Sequence, residues 1–249
     1  MLVAIPFLLC WGSFLNALSY RLIRNKSIIT PRSQCPECHH QLAWYDLIPV
    51  FSWIMLGGKC RYCHKPISLL YPFIELLTVG VMLPLLYLVP LHYIPAYFLF
   101  FSALIVTIRS DLESMLISRF VTLFLIPCGV MLSFFNLLPI SYLDSMLGVL
   151  LGYGFLFGMA KLFKALTGKE GMGQGDLELL AFIGSFTGVF GCWFSVLVGS
   201  VFGSVIGVIY ALLIAKNRNV RIPFGPFLAF GAIVYVLFQD YFISYLFPA

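Results

Sequence analysis

Long apolar runs separated by short polar segments make up most of the chain. The runs are about 14 to 23 residues long, and a helix needs about 20 residues to cross a bilayer. Inside lipid every backbone N–H and C=O must be bonded within the protein, so we expect these runs to be helices. The alternating pattern of a membrane barrel is absent from the sequence. The pattern predicts eight spans, at residues 1–23, 69–89, 96–108, 120–138, 145–163, 177–190 and 193–215 and from residue 223 onward.

Glycine marks the boundary between the sixth and seventh of these spans. Gly188 and Gly191 predict a tight bend there, because glycine accepts backbone angles that other residues avoid. Gly203 and Gly207 have the four-residue spacing that lets membrane helices approach closely. We assign these glycines to helix packing and not to chemistry.

The composition and the placement of charge support a membrane protein. Hydrophobic residues make up 61% of the chain and charged residues 10%, whereas soluble domains carry about 25% charged residues. The net charge of +5 comes from Lys and Arg in four groups, within residues 21–65, 109–119, 161–169 and 216–221. An even number of predicted spans separates successive groups, so all four can lie on one side of the membrane. Basic loops mark the cytoplasmic side, so we expect that side here and both chain ends outside. This placement explains the positive charge without nucleic-acid binding.

Four cysteines stand out in the one sizeable hydrophilic segment, residues 24–68. Cys35 and Cys38 form one C-x2-C pair, Cys60 and Cys63 form another, and 21 residues lie between the pairs. Four thiolates at such spacing are typical of a closed, tetrahedral structural zinc site. Because such a site has no open position, we expect the zinc to hold a fold, which a segment of about 45 residues needs.

Other interpretations of this segment remain open. Two disulfides would satisfy the same cysteines, although a reducing cytoplasmic loop disfavours them. A redox-active C-x2-C pair is a further alternative, although two copies flanking one loop fit a zinc ribbon better. His39, His40 and His64 lie beside the cysteines, and we expect them to be solvated neighbours and not ligands.

The pattern therefore predicts an all-α, multi-pass membrane protein with a small cytoplasmic zinc-ribbon-like domain. Its three parts are a first membrane helix at residues 1–23, a four-Cys zinc-binding domain at residues 24–68, and a membrane domain of seven further helices at residues 69–249.

Two acidic residues at helix ends carry the candidate chemistry. The glycine-rich turn at residues 171–176 ends in Asp176, and Asp111 follows the third predicted span. A carboxylate at the membrane edge is costly and is a functional hypothesis by default. Two carboxyl groups held close together can share a proton and act as acid and base on a water molecule, which is the chemistry of aspartic proteases. Gly173 and Gly175 would let a substrate backbone approach Asp176.

Other interpretations of the acidic residues also remain open. Asp111 and Asp176 could be two solvated charges near Arg109 and Lys169. Glu75 lies inside the second predicted span and needs a polar partner or a wet cavity. The glycine-rich turn does not match a phosphate-binding loop, since no Gly-Lys-Ser/Thr follows it.

At this point the chain resembles the type IV prepilin peptidases, aspartic proteases of the GxGD class. Several motifs in family order carry the resemblance, and they extend over nearly the whole chain. They are residues 12–16 with Arg21, 33–38, 44–45, 48–50, 58–63, 71–72, 75–77, 111–113, 171–176 and 223–226.

The resemblance implies a function and a location. Enzymes of this family cut the short basic leader from type IV prepilins and type II secretion pseudopilins, after a glycine, at the cytoplasmic face of the bacterial inner membrane. Many then methylate the new N-terminus with S-adenosylmethionine. Asp111 and Asp176 match the two catalytic positions, and Cys35, Cys38, Cys60 and Cys63 match the family's four cysteines.

Three features depart from the family pattern. Gly57 stands where a basic residue is common, and the other two departures change a charge beside the catalytic positions. Ser118-Arg119 stands where the family usually has Pro-Asp, and Glu178 stands where it has Lys. Two rival functions follow from the residues alone. One is a non-catalytic membrane scaffold whose ribbon binds a partner, and the other is a transporter with an ion path along Glu75, Asp111 and Asp176.

Overall fold

The secondary structure is helical apart from two isolated antiparallel bridges, within the residues that the computed structural model describes, 4–30, 32–213 and 223–246. The helices are α1 (Ala4–Ile23), a 3-10 helix (Trp44–Leu47), α2 (Phe51–Met55), α3 (Leu70–Leu88), α4 (Ile94–Ser114), α5 (Arg119–Phe134), α6 (Tyr142–Thr167), α7 (Gln174–Leu213) and α8 (Gly225–Leu246). The predicted basic group at residues 216–221, the start of the first predicted span and the end of the seventh lie outside the described residues. For the described residues, the prediction of an all-α protein is confirmed.

The chain divides into two compact units. One extends to Tyr87 and contains α1, the 3-10 helix, α2 and α3, and the other begins at Leu88 and contains α4 to α8. The sequence analysis grouped α3 with the later helices, and its three-part division of the chain stays a prediction.

In the first unit, α1 and α3 touch through a glycine. A Cβ atom at position 12 would lie 2.9 Å from the Cα of Glu75, so the absence of a side chain at Gly12 allows this close approach. Four residues later, the buried Asn16 donates from Nδ2 to the carbonyl oxygen of Tyr71 at 3.1 Å. The two helices are therefore held by backbone proximity and by a hydrogen bond that satisfies a buried amide.

A strained turn inside the four-Cys segment is hydrogen-bonded to α3. Val50 has φ 58° and ψ −50°, and the N–H of Phe51 donates to the carbonyl of Pro49 at 2.5 Å. This is a γ-turn with positive φ at its centre, which is rare and costly for a β-branched residue. The N–H of Val50 donates to Oε2 of Glu75 at 2.7 Å. The polar partner that Glu75 was expected to need is thus the backbone of this turn.

In the second unit, α4 is the central helix. Residues 100–111 are all buried, which is the pattern of a helix surrounded by others. Phe100 packs against two rings of α7, with its centroid 5.2 Å from that of Phe182 and 4.7 Å from that of Phe186.

The helix labelled α7 reverses direction at Gly188. This residue has φ 71° and ψ −169°, a region open almost only to glycine. The Sγ of Cys192 lies 3.4 Å from the carbonyl oxygen of Leu180, twelve positions earlier, whereas twelve residues of straight helix would separate two such positions by about 18 Å. The N–H of Val189 donates to Oδ1 of Asp144 at 3.3 Å. The predicted tight bend is confirmed at Gly188.

The predicted number of spans is not confirmed. Within the described residues, four helices are long and apolar enough to cross a membrane, namely Leu70–Leu88, Ile94–Ser114, Tyr142–Thr167 and Gln174–Tyr210. Two shorter apolar helices are Arg119–Phe134 and Gly225–Gln239. The counts differ partly because α5 is shorter than its predicted span and because the sixth and seventh predicted spans belong to the one folded-back helix α7.

One helix boundary was also wrong. The third predicted span ended at residue 108, before Asp111. In the structure α4 continues to Ser114, so Arg109 and Asp111 are buried helical residues. Arg109 remains in the helix because Nη1 pairs with Oε2 of Glu113, four residues on, at 2.6 Å.

Candidate active site and metal centre

Asp111 lies in the last turn of α4 and faces the start of α8. Its Oδ2 accepts a hydrogen bond from the backbone N–H of Gly225 at 3.0 Å. Gly225 is the first residue of α8, and the free N–H groups at a helix N-terminus favour a negative charge. The helix that carries Asp111, α4, is capped by Met115, whose N–H donates to the carbonyl of Asp111 at 2.9 Å. Asp111 is thus held by two helix ends.

Asp176 lies in the first turn of α7, beside the glycine-rich turn. Its backbone N–H donates to the carbonyl of Gly173 at 3.2 Å, and its carboxyl group bends back toward the same glycine. A Cβ atom at position 173 would lie 3.6 Å from Oδ2 of Asp176, in ordinary contact. The turn therefore lies against the Asp176 carboxyl group.

Asp111 and Asp176 are supported by residues that contact the same side chain, that of Ile117. A Cβ atom at position 175, next to Asp176, would lie 3.0 Å from Cβ of Ile117. One at position 225, whose N–H donates to Asp111, would lie 3.2 Å from Cδ1 of Ile117. The structure thus brings Asp111 and Asp176 to one site, and two carboxyl groups held close together can divide acid and base roles.

Gly175 has a different surrounding from the one that the sequence suggested. We expected it to make room for a substrate backbone, but the position of its missing side chain faces Ile117 of the same chain. Gly173 is less crowded, because the nearest atom to a Cβ at position 173 would be Oδ2 of Asp176, at 3.6 Å. Of the two glycines, Gly173 leaves more space beside the carboxyl group.

Three features of this site were not predicted from the sequence. Ile117 carried no signal, because it is one isoleucine among many. Gly225 belonged to a recognised motif but was assigned only to the start of a helix. The third feature is that Arg119 and Glu178, two of the departures from the family pattern, form an ion pair with 2.9 Å between Nε and Oε1. The opposite charges of Arg119 and Glu178 were the signal in the sequence from which this ion pair could have been predicted.

The four cysteines form one cluster. Their Sγ atoms all lie within 4.8 Å of one another, and those of Cys35 and Cys63 are 3.9 Å apart. Sulfur atoms bound tetrahedrally at about 2.3 Å from zinc are about 3.8 Å apart, so the four thiols fit a metal ion of this kind. The three neighbouring histidines are exposed, and the cluster among the described residues contains the thiols alone.

Each cysteine pair lies in a turn of the same construction. The N–H of Cys35 donates to the carbonyl of His40 at 3.0 Å, and the N–H of Cys60 donates to that of Lys65 at 2.9 Å. The backbone N–H of Cys63 points at the Sγ of Cys60 and lowers the pKa of that thiol to about 7. The thiolate is the form that binds metal, so this turn prepares Cys60 as a ligand.

Contacts between the two turns hold the cluster together. Lys65 of one turn pairs with Glu37 of the other, and the ring of Tyr62 lies against that of His40. Arg61 also pairs, at 2.8 Å, with the buried side chain of Asp46 in the 3-10 helix. These contacts position the four thiols from outside the cluster.

Comparison with known proteins shows the family of the chain. Residues 7–89 match the model of the bacterial peptidase A24 N-terminal domain, and residues 98–212 match that of the type IV leader peptidase family. A prepilin leader peptidase/N-methyltransferase of Aeromonas hydrophila is 37% identical over 217 residues, covering 86% of this chain and 74% of its own. Proteins with the same name from Xanthomonas campestris pv. campestris and Pseudomonas aeruginosa are 37% identical over 222 residues and 33% identical over 219 residues. These matches cover 88% and 86% of this chain and 77% and 74% of the relatives.

No solved structure matches the chain significantly. The chain therefore belongs to the type IV leader peptidase family.

Proposed function

We propose that this chain is a membrane aspartic endopeptidase that removes the leader from prepilins, with Asp111 and Asp176 as its catalytic pair. The observation that carries the proposal is that Ile117 contacts both Gly175, next to Asp176, and Gly225, which donates to Asp111. The family relationship and the names of the relatives support the same reaction.

The reaction needs one carboxyl group ionised and the other protonated. The ionised carboxylate takes a proton from a water molecule, whose oxygen then attacks the carbonyl carbon of the scissile peptide bond. The protonated carboxyl group donates to the carbonyl oxygen as negative charge develops there. The C–N bond breaks, one proton passes to the departing amine, and the leader leaves with a new carboxylate. The products are the leader and a pilin with a free α-amine.

The relatives' names also include N-methyltransferase, so we propose that the same chain methylates the new amine. The methyl group would move from the sulfonium of S-adenosylmethionine to the amine nitrogen, which loses a proton. This second activity rests on the family relationship, because the sequence contains no glycine loop of the soluble methyltransferase type.

The same proposal covers the metal and the membrane arrangement. Cys35, Cys38, Cys60 and Cys63 would hold a structural zinc ion, which with four thiolate ligands has no position left for a substrate. The chain would cross the bacterial inner membrane eight times, with the four-Cys domain and the acidic pair on the cytoplasmic side. Its substrates would be type IV prepilins and type II secretion pseudopilins.

Incubating the purified full-length chain with model prepilins, with and without S-adenosylmethionine, tests this function. Mass spectrometry of the product should detect cleavage after the leader glycine in both reactions and one added methyl group only with S-adenosylmethionine. Absence of cleavage by folded, zinc-loaded protein across several leaders would contradict the peptidase and favour a non-catalytic scaffold. Cleavage without methylation would remove only the second activity.

A further inference from the structure

Arg119 and Glu178 form an ion pair whose partners lie in very different surroundings. Nε of Arg119 donates to both carboxylate oxygens of Glu178, at 2.9 and 3.3 Å. The side chain of Glu178 is only 3% exposed, whereas that of Arg119 is 63% exposed. A buried carboxylate is costly unless a cation and hydrogen bonds compensate it. The exposed Arg119 supplies both to Glu178.

The pair joins two helix starts that border the acidic site. Arg119 is the first residue of α5, and Glu178 lies near the start of α7, two residues after Asp176. The turn that leads to Arg119 begins at Met115, which is bonded back to the carbonyl of Asp111. One end of this turn is therefore tied to the helix of Asp111, and the other end is tied to the helix of Asp176.

The middle of the same turn also contacts both sides of the site. Ile117 packs against Gly175, next to Asp176, and against Gly225, which donates to Asp111. Loss of the ion pair would remove one link between this turn and the start of α7, and the contact of Ile117 with Gly175 would remain. A shift of the α7 start would then move Asp176 relative to Asp111.

Two of the departures from the family pattern have opposite charges and lie against each other. The resemblance implies an acidic residue at position 119 and a basic residue at position 178, whereas this chain has Arg119 and Glu178. An acidic residue at 119 or a basic residue at 178 alone would place two like charges against each other here.

We infer that Arg119 and Glu178 are a positioning pair, which holds the start of α7 so that Asp176 stays in reach of Asp111. The inference rests on the proposed peptidase function. Neither residue needs to touch the substrate, so loss of the pair should lower kcat more than it changes KM. Restoring the pair with the opposite polarity should restore kcat.

The test compares Arg119→Asp, Glu178→Lys and the double variant in the full-length, zinc-loaded protein. A misplacement of about 1 Å can cost about a hundredfold in rate, so each single change should lower kcat at least about tenfold, with KM within about threefold of wild type. The double variant should recover kcat to within about threefold of wild type, since the removed interaction is replaced. As a control, the exposed pair Lys164 and Glu170, 3.0 Å apart, is reversed in the same way. Those control variants should keep wild-type kinetics.

Thermal unfolding of every variant separates folding from positioning. If a charge reversal prevents folding, Arg119→Gln removes the exposed charge without adding another and should show the same fall in kcat. Wild-type kcat in either single variant, or a double variant no better than the poorer single one, would overturn the inference. If wild type cleaves no prepilin, the proposed function fails and the positioning role fails with it. A melting temperature that recovers in the double variant would then identify the pair as purely structural.

Discussion

The backbone N–H of Gly225 donates to Oδ2 of Asp111 at 3.0 Å, although 114 positions separate the two residues. The start of α8 therefore lies directly against the acidic group at the end of α4. A Cβ atom at position 225 would lie 2.7 Å from the same oxygen, so a side chain there would push the Asp111 carboxyl group aside.

Gly225→Ala should displace the Asp111 carboxyl group and lower the cleavage rate by about ten- to a hundredfold. Overpacking at such a contact costs about 1–3 kcal/mol, so the variant should still fold. Single-turnover cleavage of a model prepilin measures the rate, and thermal unfolding measures stability.

The matched control for that change is Gly158→Ala in α6. A Cβ atom at position 158 meets nothing within 4 Å, and alanine suits a helix better than glycine does. Its cleavage rate should equal that of wild type. Equal rates for both variants would contradict the importance of the Gly225 contact.

Metal content tests the four-Cys cluster. Cys35→Ser together with Cys60→Ser removes one ligand from each turn, and the zinc content should fall from about one ion per chain to near zero. Because zinc supplies folding energy to such segments, the unfolding temperature should fall as well. Elemental analysis of the purified full-length protein is the measurement.

Cys10→Ser controls for handling and oxidation, because Cys10 is an exposed thiol outside the cluster. It should retain wild-type zinc. Wild-type zinc in the double serine variant would refute the proposed ligand set.

The contact between Glu75 and Val50 gives a prediction about stability. Glu75→Leu removes the acceptor of the Val50 N–H and should destabilise the protein by about 1–3 kcal/mol, the cost of leaving such a donor unpaired. Hydrogen exchange at the Val50 amide should become faster. Glu75→Gln keeps an acceptor oxygen and should lose much less stability. A leucine variant as stable as wild type, with unchanged exchange at Val50, would mean that the turn does not depend on Glu75.

Helix positions followed from the sequence, but the contacts between helices did not. Apolar runs predicted α3 and α6 closely, and glycine predicted the reversal at Gly188. The ends of the apolar runs also indicated where helices end, so Asp111 and Asp176 were expected at helix ends. This indication was wrong for α4, because the pairing of Arg109 with Glu113 keeps charged residues within the helix.

The supports of the acidic site depend on tertiary contacts, which a single sequence does not encode in any local pattern. Arg119 and Glu178 are 59 positions apart, and each looked like an isolated departure until the fold placed them together. Ile117 matters because of the two glycines that it touches. In contrast, the four thiols could be grouped from spacing alone, because metal-binding turns are local.

The central claim is that Asp176 is one of two catalytic acidic residues, and Asp176→Asn with Asp144→Asn as control tests it most directly. Both residues lie in the first turn of a long helix in the same unit, so the two substitutions are closely matched. Asparagine at 144 keeps an oxygen that can accept from Val189 and should leave cleavage intact. Cleavage of a model prepilin, read by mass spectrometry of the product N-terminus, should be abolished by Asp176→Asn while the variant stays folded and inserted. Cleavage retained in Asp176→Asn at the level of Asp144→Asn would contradict the account.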